Sequence, residues 1–591
     1  MRRKTLWDLL VTTVLTLAVT LVAPTVRADT YTVTNSSDSG AGSLREAILA
    51  SNGHDGPDRI AFGISGSDVH TITLESSLPV LVDDATTIDG YTQRGAFPAS
   101  DTSAATLRIV IDGNQRTVDE ALRVTSASNV IRGLVIANFS VTGIVISGSG
   151  ATSNTVSGNY IGTDVTGTNP RGNASSGVTI EPGAHGNRIG GDAPSERNII
   201  SGNLYGVSVL GSGAMSNTVS GNYIGTDASG TSALGNAATG VSISGGAENN
   251  TVGGCTPGER NLISGNHGNG VSISDNETTG NSVVGNHIGP DVSGTAALYN
   301  LNHGVYIYNG AHDNTVGGGS PGAGNLISGN SAHGIAIGGQ PTGAYRNTVS
   351  GNYIGVDTSA ASALGNTLSG VAIRDGAHSN TVGGDTPEER NVISGNDKHG
   401  LLVEGEGTAN NTVSGNYIGP SAGGTSVLGN GQYGVYIQNS ARDNTIGGNI
   451  PAKGNVIAGS YYDGVLVYGH DTTGNTISGN SIHHNGGSGI SLLGGGNTEL
   501  APPVIANVTA AGASGTGCTW CTIHVYSDEN DEGEVWHAPP VVADASGSWT
   551  YDGTIYGPYL TATGTDSNGN TSEFSASTPV LTVYLPLVVR S

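Results

Sequence analysis

One short pattern recurs through the middle of this chain and restricts its fold more than any other feature. The pattern is Gly-apolar-x-apolar, and it begins at Gly143, Gly177, Gly206, Gly240, Gly270, Gly304, Gly334, Gly370, Gly400, Gly434, Gly464 and Gly489. Intervals of about 30 and about 34 residues alternate, so two unlike units form a longer repeat. Each unit holds three short segments in which apolar and polar residues alternate, and this period of two predicts β-strands.

Three short strands per unit predict a parallel β-helix of at least 12 coils, and hence an all-β fold. Helical repeats are excluded because Gly accounts for 96 of the 591 residues and no window has a helical apolar stripe. Leucine-rich offsets and calcium-binding GGxGxD repeats are also missing from the sequence. Each coil is expected to stack ~4.8 Å above the last, so twelve coils would form a rod of roughly 55–60 Å.

Two series of asparagines recur once per unit and are predicted to be structural rather than ligand contacts. Asn tolerates left-handed turn conformations, and its amide can bond to the Asn of the next coil. The first series is Asn154, Asn187, Asn217, Asn250, Asn281, Asn314, Asn347, Asn380, Asn411, Asn444 and Asn475. The second is Asn159, Asn198, Asn222, Asn261, Asn286, Asn325, Asn352, Asn391, Asn416, Asn455 and Asn480.

The N-terminal segment predicts export of the protein. Arg2, Arg3 and Lys4 precede an apolar run, and Val26-Arg27-Ala28 offers a cleavage site between small residues, as in a secretory signal peptide cleaved near Ala28. A retained membrane anchor is the alternative, but the run is short for a bilayer span. We therefore expect a secreted or cell-surface location. No later segment has the roughly 20 apolar residues that a transmembrane helix needs.

The two ends of the repeat differ from its middle. Ser43 and Glu46 form an S-x-x-E capping box at the start of a short helix, which could close the open N-terminal end of the β-helix. After Ala501-Pro502-Pro503, short strands and turns predict a small β-sandwich. The expected domains are a signal peptide at 1–28, an N-terminal cap with irregular coils at 29–142, the regular β-helix at 143–500, an Ig-like β-sandwich at 501–577 and an apolar tail at 578–591.

Charge and cysteine content limit the possible partners. The net charge of −25 disfavours nucleic acid and anionic membranes. Polysaccharides or cell-surface glycans remain as partners of a chain that we expect to be monomeric.

Cys518 and Cys521 are close in sequence and predict a local disulfide, because no α/β pattern surrounds them as around a redox CxxC motif. Cys255 is expected to be a free thiol.

Several segments resemble secreted bacterial right-handed parallel β-helix proteins of the pectin-lyase-like superfamily. These are DSGAGSLREAILASN, TIDGYTQ at 87–93 and the NTVSGNYIGTD…ALGN cycles. SLREA is similar to the CSLREA-type N-terminal region of such proteins, although Ala41-Gly42 replaces the usual Cys. TATGTDSNGNTSEFS resembles their bacterial Ig-like module. The resemblance implies a right-handed β-helix and covers nearly the whole mature chain, but it implies no single activity.

Enzymes of this superfamily are polysaccharide lyases, glycoside hydrolases, uronate epimerases and pectin esterases, and their motifs are missing here. The NTD, DD, GHG and RIK set of polygalacturonases is absent, since Asp83-Asp84 is isolated. Only Tyr468-Gly469-His470-Asp471 faintly resembles the epimerase YGxDPH motif. No acidic calcium site with a basic proton acceptor is assembled, so catalytic residues are not assigned and no cofactor or metal is expected.

A column of aspartates follows the IGTD-like phrase on alternate coils. Its members are Asp164, Asp227, Asp291 and Asp357. Calcium prefers six to eight oxygen ligands at one point, and one carboxylate every second coil does not supply them. Asx turns are therefore favoured over calcium binding.

One surface region combines rings with polar groups and is our candidate glycan-binding site. When the Gly-apolar-x-apolar strands are aligned, their outward positions change character from Gly370 onwards. The candidates are Arg374, His399, Glu404, Tyr433, Tyr436, Gln438, Asp463 and Tyr468. Tyr rings can stack on sugars and the polar groups can bind hydroxyls. A plain surface ladder with an Arg374–Glu404 ion pair is the alternative.

Three functions remain open on these observations. The leading hypothesis is a secreted β-helix protein, without catalysis, that presents an acidic surface for carbohydrate or surface interaction. The second is a polysaccharide-active lyase, hydrolase or epimerase that uses His399, Glu404, Tyr433 and Asp463. The third is a purely structural, adhesin-like rod.

Overall fold

The computed structural model of the protein describes residues 28–424, 426–529 and 532–580. Residues 1–27 of the predicted signal peptide and the last eleven residues of the predicted tail lie outside this part of the chain. Within the described residues no helix is long and apolar enough to cross a membrane. Nearly all regular structure is β, as predicted.

Three parallel sheets, here called sheets A, B and C, run along the molecule with 15, 14 and 13 strands. Sheet A consists of Thr30–Val33, Arg59–Phe62, Thr87–Asp89, Val130–Arg132, Thr155–Ser157, Arg188–Gly190, Thr218–Ser220, Thr251–Gly253, Ser282–Val284, Thr315–Gly317, Thr348–Ser350, Thr381–Gly383, Thr412–Ser414, Thr445–Gly447 and Thr476–Ser478. Sheet B consists of His70–Thr73, Ile109–Asp112, Leu134–Ala137, Tyr160–Ile161, Ile199–Ile200, Tyr223–Ile224, Leu262–Ile263, His287–Ile288, Leu326–Ile327, Tyr353–Ile354, Val392–Ile393, Tyr417–Ile418, Val456–Ala458 and Ser481–His483. Sheet C consists of Glu120–Val124, Thr142–Ile146, Ser176–Ile180, Tyr205–Leu210, Val241–Ser244, Val271–Ser274, Val305–Tyr308, Ile335–Gly338, Val371–Arg374, Leu401–Glu404, Val435–Gln438, Val465–Tyr468 and Ile490–Leu493.

This arrangement is a right-handed parallel β-helix in which equivalent residues of successive coils pair in register. In sheet C, for example, Val178 pairs with Val207 and Ile180 with Val209. One continuous apolar core runs from Val33 to Leu492. Because side chains alternate between the two faces of a strand, every second residue of each short strand enters this core. The predicted fold and coil number are confirmed.

Both asparagine series form buried ladders between coils. The Asn154 amide donates to the Asn187 side-chain oxygen at 2.9 Å, and that of Asn222 donates to Asn261 at 3.1 Å. A third ladder, which the sequence reasoning did not identify, lies between sheets B and C. It consists of Asn173, Asn203, Asn236, Asn266, Asn300, Asn330, Asn366, Asn396 and Asn430. In the sequence, most members of this ladder are the asparagine that closes an ISGN or an LGN phrase.

A short helix covers the N-terminal end of the β-helix. The helix spans Leu44–Ser51, and the Ser43 hydroxyl accepts a hydrogen bond from the Glu46 backbone N–H at 3.2 Å. Leu44 and Ile48 are fully buried and belong to the continuous core. The helix therefore shields the apolar groups of the first coils from water.

Two antiparallel sheets follow the last coil. One contains Val504–Thr509, Gly512–Thr516 and Ser548–Asp552, and the other contains Val535–Val542, Thr522–Asp528, Tyr559–Thr565 and Thr578–Pro579. Ile523, Trp549 and Leu560 belong to a separate apolar core between them. A disulfide joins Cys518 to Cys521, with 5.4 Å between their Cα atoms, and Cys255 is an exposed free thiol.

This C-terminal module covers the last coil of the β-helix. The Thr571 hydroxyl accepts from the Ile477 backbone N–H at 2.9 Å, and the Glu573 carboxylate accepts from that of Leu492 at 2.8 Å. Phe574 packs against the β-helix core. Ile477 and Leu492 lie in the last strands of sheets A and C. The module thus pairs backbone groups that the final coil would otherwise leave open.

Candidate functional site

The predicted site residues lie on, or two residues before, four adjacent strands of sheet C. Arg374, Glu404, Gln438 and Tyr468 occupy one register position on four successive coils. Tyr436 pairs with Leu402 on one side and with Leu466 on the other. This placement follows from the repeat, because residues with the same offset from the repeating glycine stack at ~4.8 Å intervals.

The rings of the predicted residues form one cluster. His399 stacks on Tyr433 with 5.5 Å between ring centroids, and Tyr436 lies 5.1 Å from each of them. Tyr462, which was not predicted, extends the cluster at 5.3 Å from Tyr433. Such distances are typical of favourable aromatic pairs. The cluster offers broad apolar faces with phenolic hydroxyls at their edges.

Arg374 does not form the ion pair with Glu404 that the alternative interpretation, a plain surface ladder, predicts. Its guanidinium lies 5.9 Å from the Tyr306 ring centroid and 3.5 Å from the Asp375 carboxylate. The neighbouring strand contributes Ala336 and Gly338, whose small size leaves room for the long side chain to extend towards Tyr306. Glu404 accepts instead from the Gln438 amide at 2.9 Å.

Asp463 and Tyr468 are not part of the ring cluster. The Asp463 carboxylate accepts from the Ser488 backbone N–H at 2.8 Å, so it stabilises the next coil. Tyr468 has 48% of its surface exposed near the C-terminal end of sheet C. The structure therefore does not show Glu404 and Asp463 as a pair of free carboxylates.

Four further residues extend the site towards the N-terminus and were missed by sequence reasoning. His303 stacks on His333 at 5.3 Å, and Tyr306 lies 5.0 Å from His303 and 4.3 Å from Tyr308. His303 and His333 occupy the column of His399, and Tyr306 occupies that of Tyr436. Tyr308 occupies the column of Arg374 and Glu404, and all four lie two or more coils earlier. The same alignment contains these residues, because the outward positions already change from small residues to rings at Gly304 and Gly334, before Gly370.

The complete surface, here called the sheet C strip, has aromatic rings at both ends and smaller side chains between them. Tyr306 stands at one end and Tyr436 at the other, four coil steps or ~19 Å apart. Between them the same column holds Ala336, Ala372 and Leu402, all buried. Between its two ring ends the strip therefore has small or aliphatic side chains that neighbouring groups cover, with Arg374 and Glu404 beside them.

The three histidines of the strip are neutral at physiological pH. Burial lowers the pKa of His303 to about 4, with a further contribution from Arg374. Burial lowers the pKa of His333 to about 3 and that of His399 to about 4. Burial also raises the pKa of Tyr306, Tyr433 and Tyr436, so their phenols keep their protons. The rings therefore supply stacking faces and hydrogen-bond donors rather than an acid and base pair.

The lowered histidine pKa values predict a loss of stability in acid. The unfolded chain binds protons below pH ~6.5, whereas the folded imidazoles resist protonation until about pH 4, so the free energy of unfolding falls as pH drops through this window. The loss is up to about 2 kcal/mol per ring at pH 5. Melting temperatures of the wild type and of His333→Asn between pH 7 and 4.5 measure it. A shallower slope is expected for the variant, and equal slopes would contradict the assignment.

The aspartate column forms turns. The Asp164 carboxylate accepts from the backbone N–H groups of Thr166 and Thr168 at 3.1 and 3.2 Å. Asp227, Asp291 and Asp357 make equivalent contacts in their loops. Burial opposes ionisation of Asp164, but these hydrogen bonds outweigh it and lower the pKa. Within the described residues no three His, Cys, Asp or Glu side chains are grouped so that they could hold a metal ion.

Comparisons with known proteins concern the fold. The family model "Right handed beta helix region" matches residues 419–524. No curated protein sequence matches the chain. Among solved structures, the A-module of the Azotobacter vinelandii mannuronan C-5 epimerase is 14% identical, with a TM-score of 0.36 over 70% of this chain and 93% of that one.

Two further solved structures are similar at the same level. A mutant of the periplasmic alginate epimerase is 11% identical, with a TM-score of 0.28 over 75% of this chain and 77% of that one. A mutant tailspike protein of E. coli bacteriophage HK620, in complex with a pentasaccharide, is 11% identical, with a TM-score of 0.29 over 88% and 87%. With the three stacked sheets, the family match identifies this chain as a right-handed parallel β-helix.

Proposed function

We propose that this protein is secreted or displayed at the cell surface and binds an extended polysaccharide along the sheet C strip without chemical turnover. The arrangement of Tyr306 and Tyr436 at the two ends of the strip carries the proposal. It places two ring faces ~19 Å apart on one straight surface, with Arg374, Glu404 and Gln438 alongside for hydroxyl groups. A regular polymer can contact such a surface at several points, since the β-helix repeats along the same direction.

The electrostatics of the strip favour binding over catalysis. General acid–base catalysis requires groups whose pKa values lie near the working pH. The pKa values of His303, His333 and His399 lie well below it, at about 4, 3 and 4. Asp463 is engaged by the Ser488 backbone. The net charge of −25 further favours a neutral glycan over a strongly anionic one.

Retention on immobilised polysaccharides tests the proposal. The double variant Tyr306→Ala/Tyr436→Ala removes one ring from each end of the strip and is expected to weaken retention by about tenfold or more. Tyr556→Ala is the matched control, because Tyr556 is an exposed ring in the C-terminal module. Equal retention of wild type and double variant on every glycan that binds would contradict the proposal.

The same incubations distinguish the other two functions. A polysaccharide-active enzyme would release products, and Glu404→Ala would abolish that release. A purely structural rod would neither retain nor cleave any member of a broad panel. Retention without product release, lost with the two tyrosines, is the result that we expect.

A further inference from the structure

On sheet B, tyrosine rings recur beside arginine side chains from the loops, and one of these rings lacks its arginine. The outward position of sheet B holds Tyr223, His287, Tyr353 and Tyr417 on every second coil. The loop of each preceding coil ends just before a ladder asparagine. At this point the loops carry Arg197, Arg260, Gly324, Arg390 and, last, Gly454.

Where the loop supplies arginine and the next coil supplies tyrosine, the guanidinium covers that ring. Arg197 lies 4.3 Å from the Tyr223 ring centroid, and Arg390 lies 4.2 Å from that of Tyr417. Both distances are well within the range of cation–π attraction. Arg390 also donates to the Gly415 carbonyl at 3.1 Å, which fixes it against the coil. The fold thus contains two copies of a guanidinium site built on a sheet B tyrosine.

Tyr353 has the ring without the guanidinium. Its preceding loop carries Gly324, and the ring is 40% exposed, whereas Tyr223 is 9% exposed. A Cβ atom at Gly324 would collide with the carbonyl oxygen of Gly351, so a side chain at this position would require the loop to shift. The last loop carries Gly454, but the sheet B position after it is Ser481, which needs no cover. Among the rings that follow such a loop in the described coils, Tyr353 alone remains uncovered.

A cavity of about 490 Å³ opens at this place. Tyr353, Leu326 and His287 line it from three successive coils, with Arg260 and Glu388 on its sides. Arg260 donates to the Gly285 carbonyl at 3.4 Å near His287, and His287 lies two coil steps or ~10 Å from Tyr353. Glu388 belongs to the loop at the Tyr353 end, where the Glu389 carbonyl accepts from the Gly351 N–H at 2.9 Å. The ring and the carboxylate together provide both contacts that a guanidinium takes.

We propose that the cavity at Tyr353 binds an arginine side chain presented by a basic partner protein. The guanidinium would lie on the Tyr353 ring, as those of Arg197 and Arg390 lie on Tyr223 and Tyr417, and would pair with Glu388. The net charge of −25 draws a basic partner towards the surface. Arg is preferred over Lys because its planar group stacks on a ring while its edge remains free for a carboxylate.

Titration of the full-length protein with short blocked peptides tests this proposal. The peptides carry one arginine, lysine or citrulline among neutral residues, and citrulline keeps the shape of arginine without its charge. We expect the arginine peptide to bind best. Tyr353→Ala is expected to weaken its binding by about tenfold, Tyr353→Phe to preserve it, and Glu388→Gln to weaken it several-fold and reduce its salt dependence. Tyr556→Ala is the control for an exposed ring elsewhere.

Two results would overturn the proposal. Equal binding of the arginine and lysine peptides, unchanged in Tyr353→Ala, would show diffuse attraction to an acidic surface. Loss of polysaccharide retention in Tyr353→Ala, with arginine binding unaffected, would identify a glycan subsite instead. The double variant Tyr306→Ala/Tyr436→Ala should bind the arginine peptide normally, so failure of the glycan proposal leaves this one independently testable.

Discussion

Deletion of residues 501–591 is expected to cause a large loss of stability and aggregation of the remaining β-helix. The last coil would expose the backbone groups of Ile477 and Leu492 that Thr571 and Glu573 now pair. It would also uncover the apolar groups that Phe574 covers. An open, flat edge of a parallel sheet is a template for pairing with another chain. Size-exclusion chromatography and denaturant unfolding of the truncated protein measure both effects.

Point variants separate the docking contact from the presence of the module. Phe574→Ala is expected to lower the free energy of unfolding by about 2–3 kcal/mol, because the ring is partly rather than fully buried. Tyr556→Ala removes an exposed ring from the same module and should change it by less than about 0.5 kcal/mol. If both the truncation and Phe574→Ala leave stability unchanged, the module does not act as a cap on the β-helix.

Removal of one ladder asparagine is expected to have the second large effect. The Asn222 amide donates to the Ile189 carbonyl at 2.8 Å and to Asn261 at 3.1 Å, and its oxygen accepts from Asn198 at 2.8 Å. Asn222→Ala takes one hydrogen-bond partner from each of these buried groups in two neighbouring coils, although the Asn261 oxygen keeps the Asn222 backbone N–H and the Asn198 amide keeps the Val156 carbonyl. Each such group costs about 1–3 kcal/mol, so a total of about 3–5 kcal/mol is expected.

An exposed asparagine provides the matched comparison. Asn276 bonds only to the side chain of Glu277 at the surface, and Asn276→Ala should change the free energy of unfolding by less than about 0.5 kcal/mol. Chemical denaturation of both variants, with circular dichroism as the signal, gives the two values. Similar values would mean that ladder amides exchange their partners for water without cost.

The repeated phrase NTVSGNYIGTD illustrates how much of this fold is predictable from sequence. Val156 and Ile161 alternate with polar residues, and each is fully buried. Asn154 and Asn159 recur once per coil and form ladders. Such local periodicity is sufficient because every coil repeats the same contacts with its neighbours. The third ladder was overlooked although Asn173 and its equivalents recur with the same regularity.

The candidate site was predictable only in part. The columns that contain His399, Tyr433 and Tyr436 follow from the repeat, and the rings do meet. The direction of Arg374 did not follow, because it depends on the small residues of the preceding coil and on Tyr306. A long, flexible side chain selects among several neighbours, and the sequence offset alone does not specify which one.

The sequence by itself determined the β-helix, its coil register and its ladder positions, since these depend on periodic patterns within one or two coils. Only the tertiary structure decided that the C-terminal module is a cap, because Thr571 and Glu573 meet strands that lie 94 and 81 residues away in sequence. It also decided that Tyr353 is uncovered while Tyr223 is not. Both outcomes depend on which non-local groups fill a given space, and no local pattern encodes that.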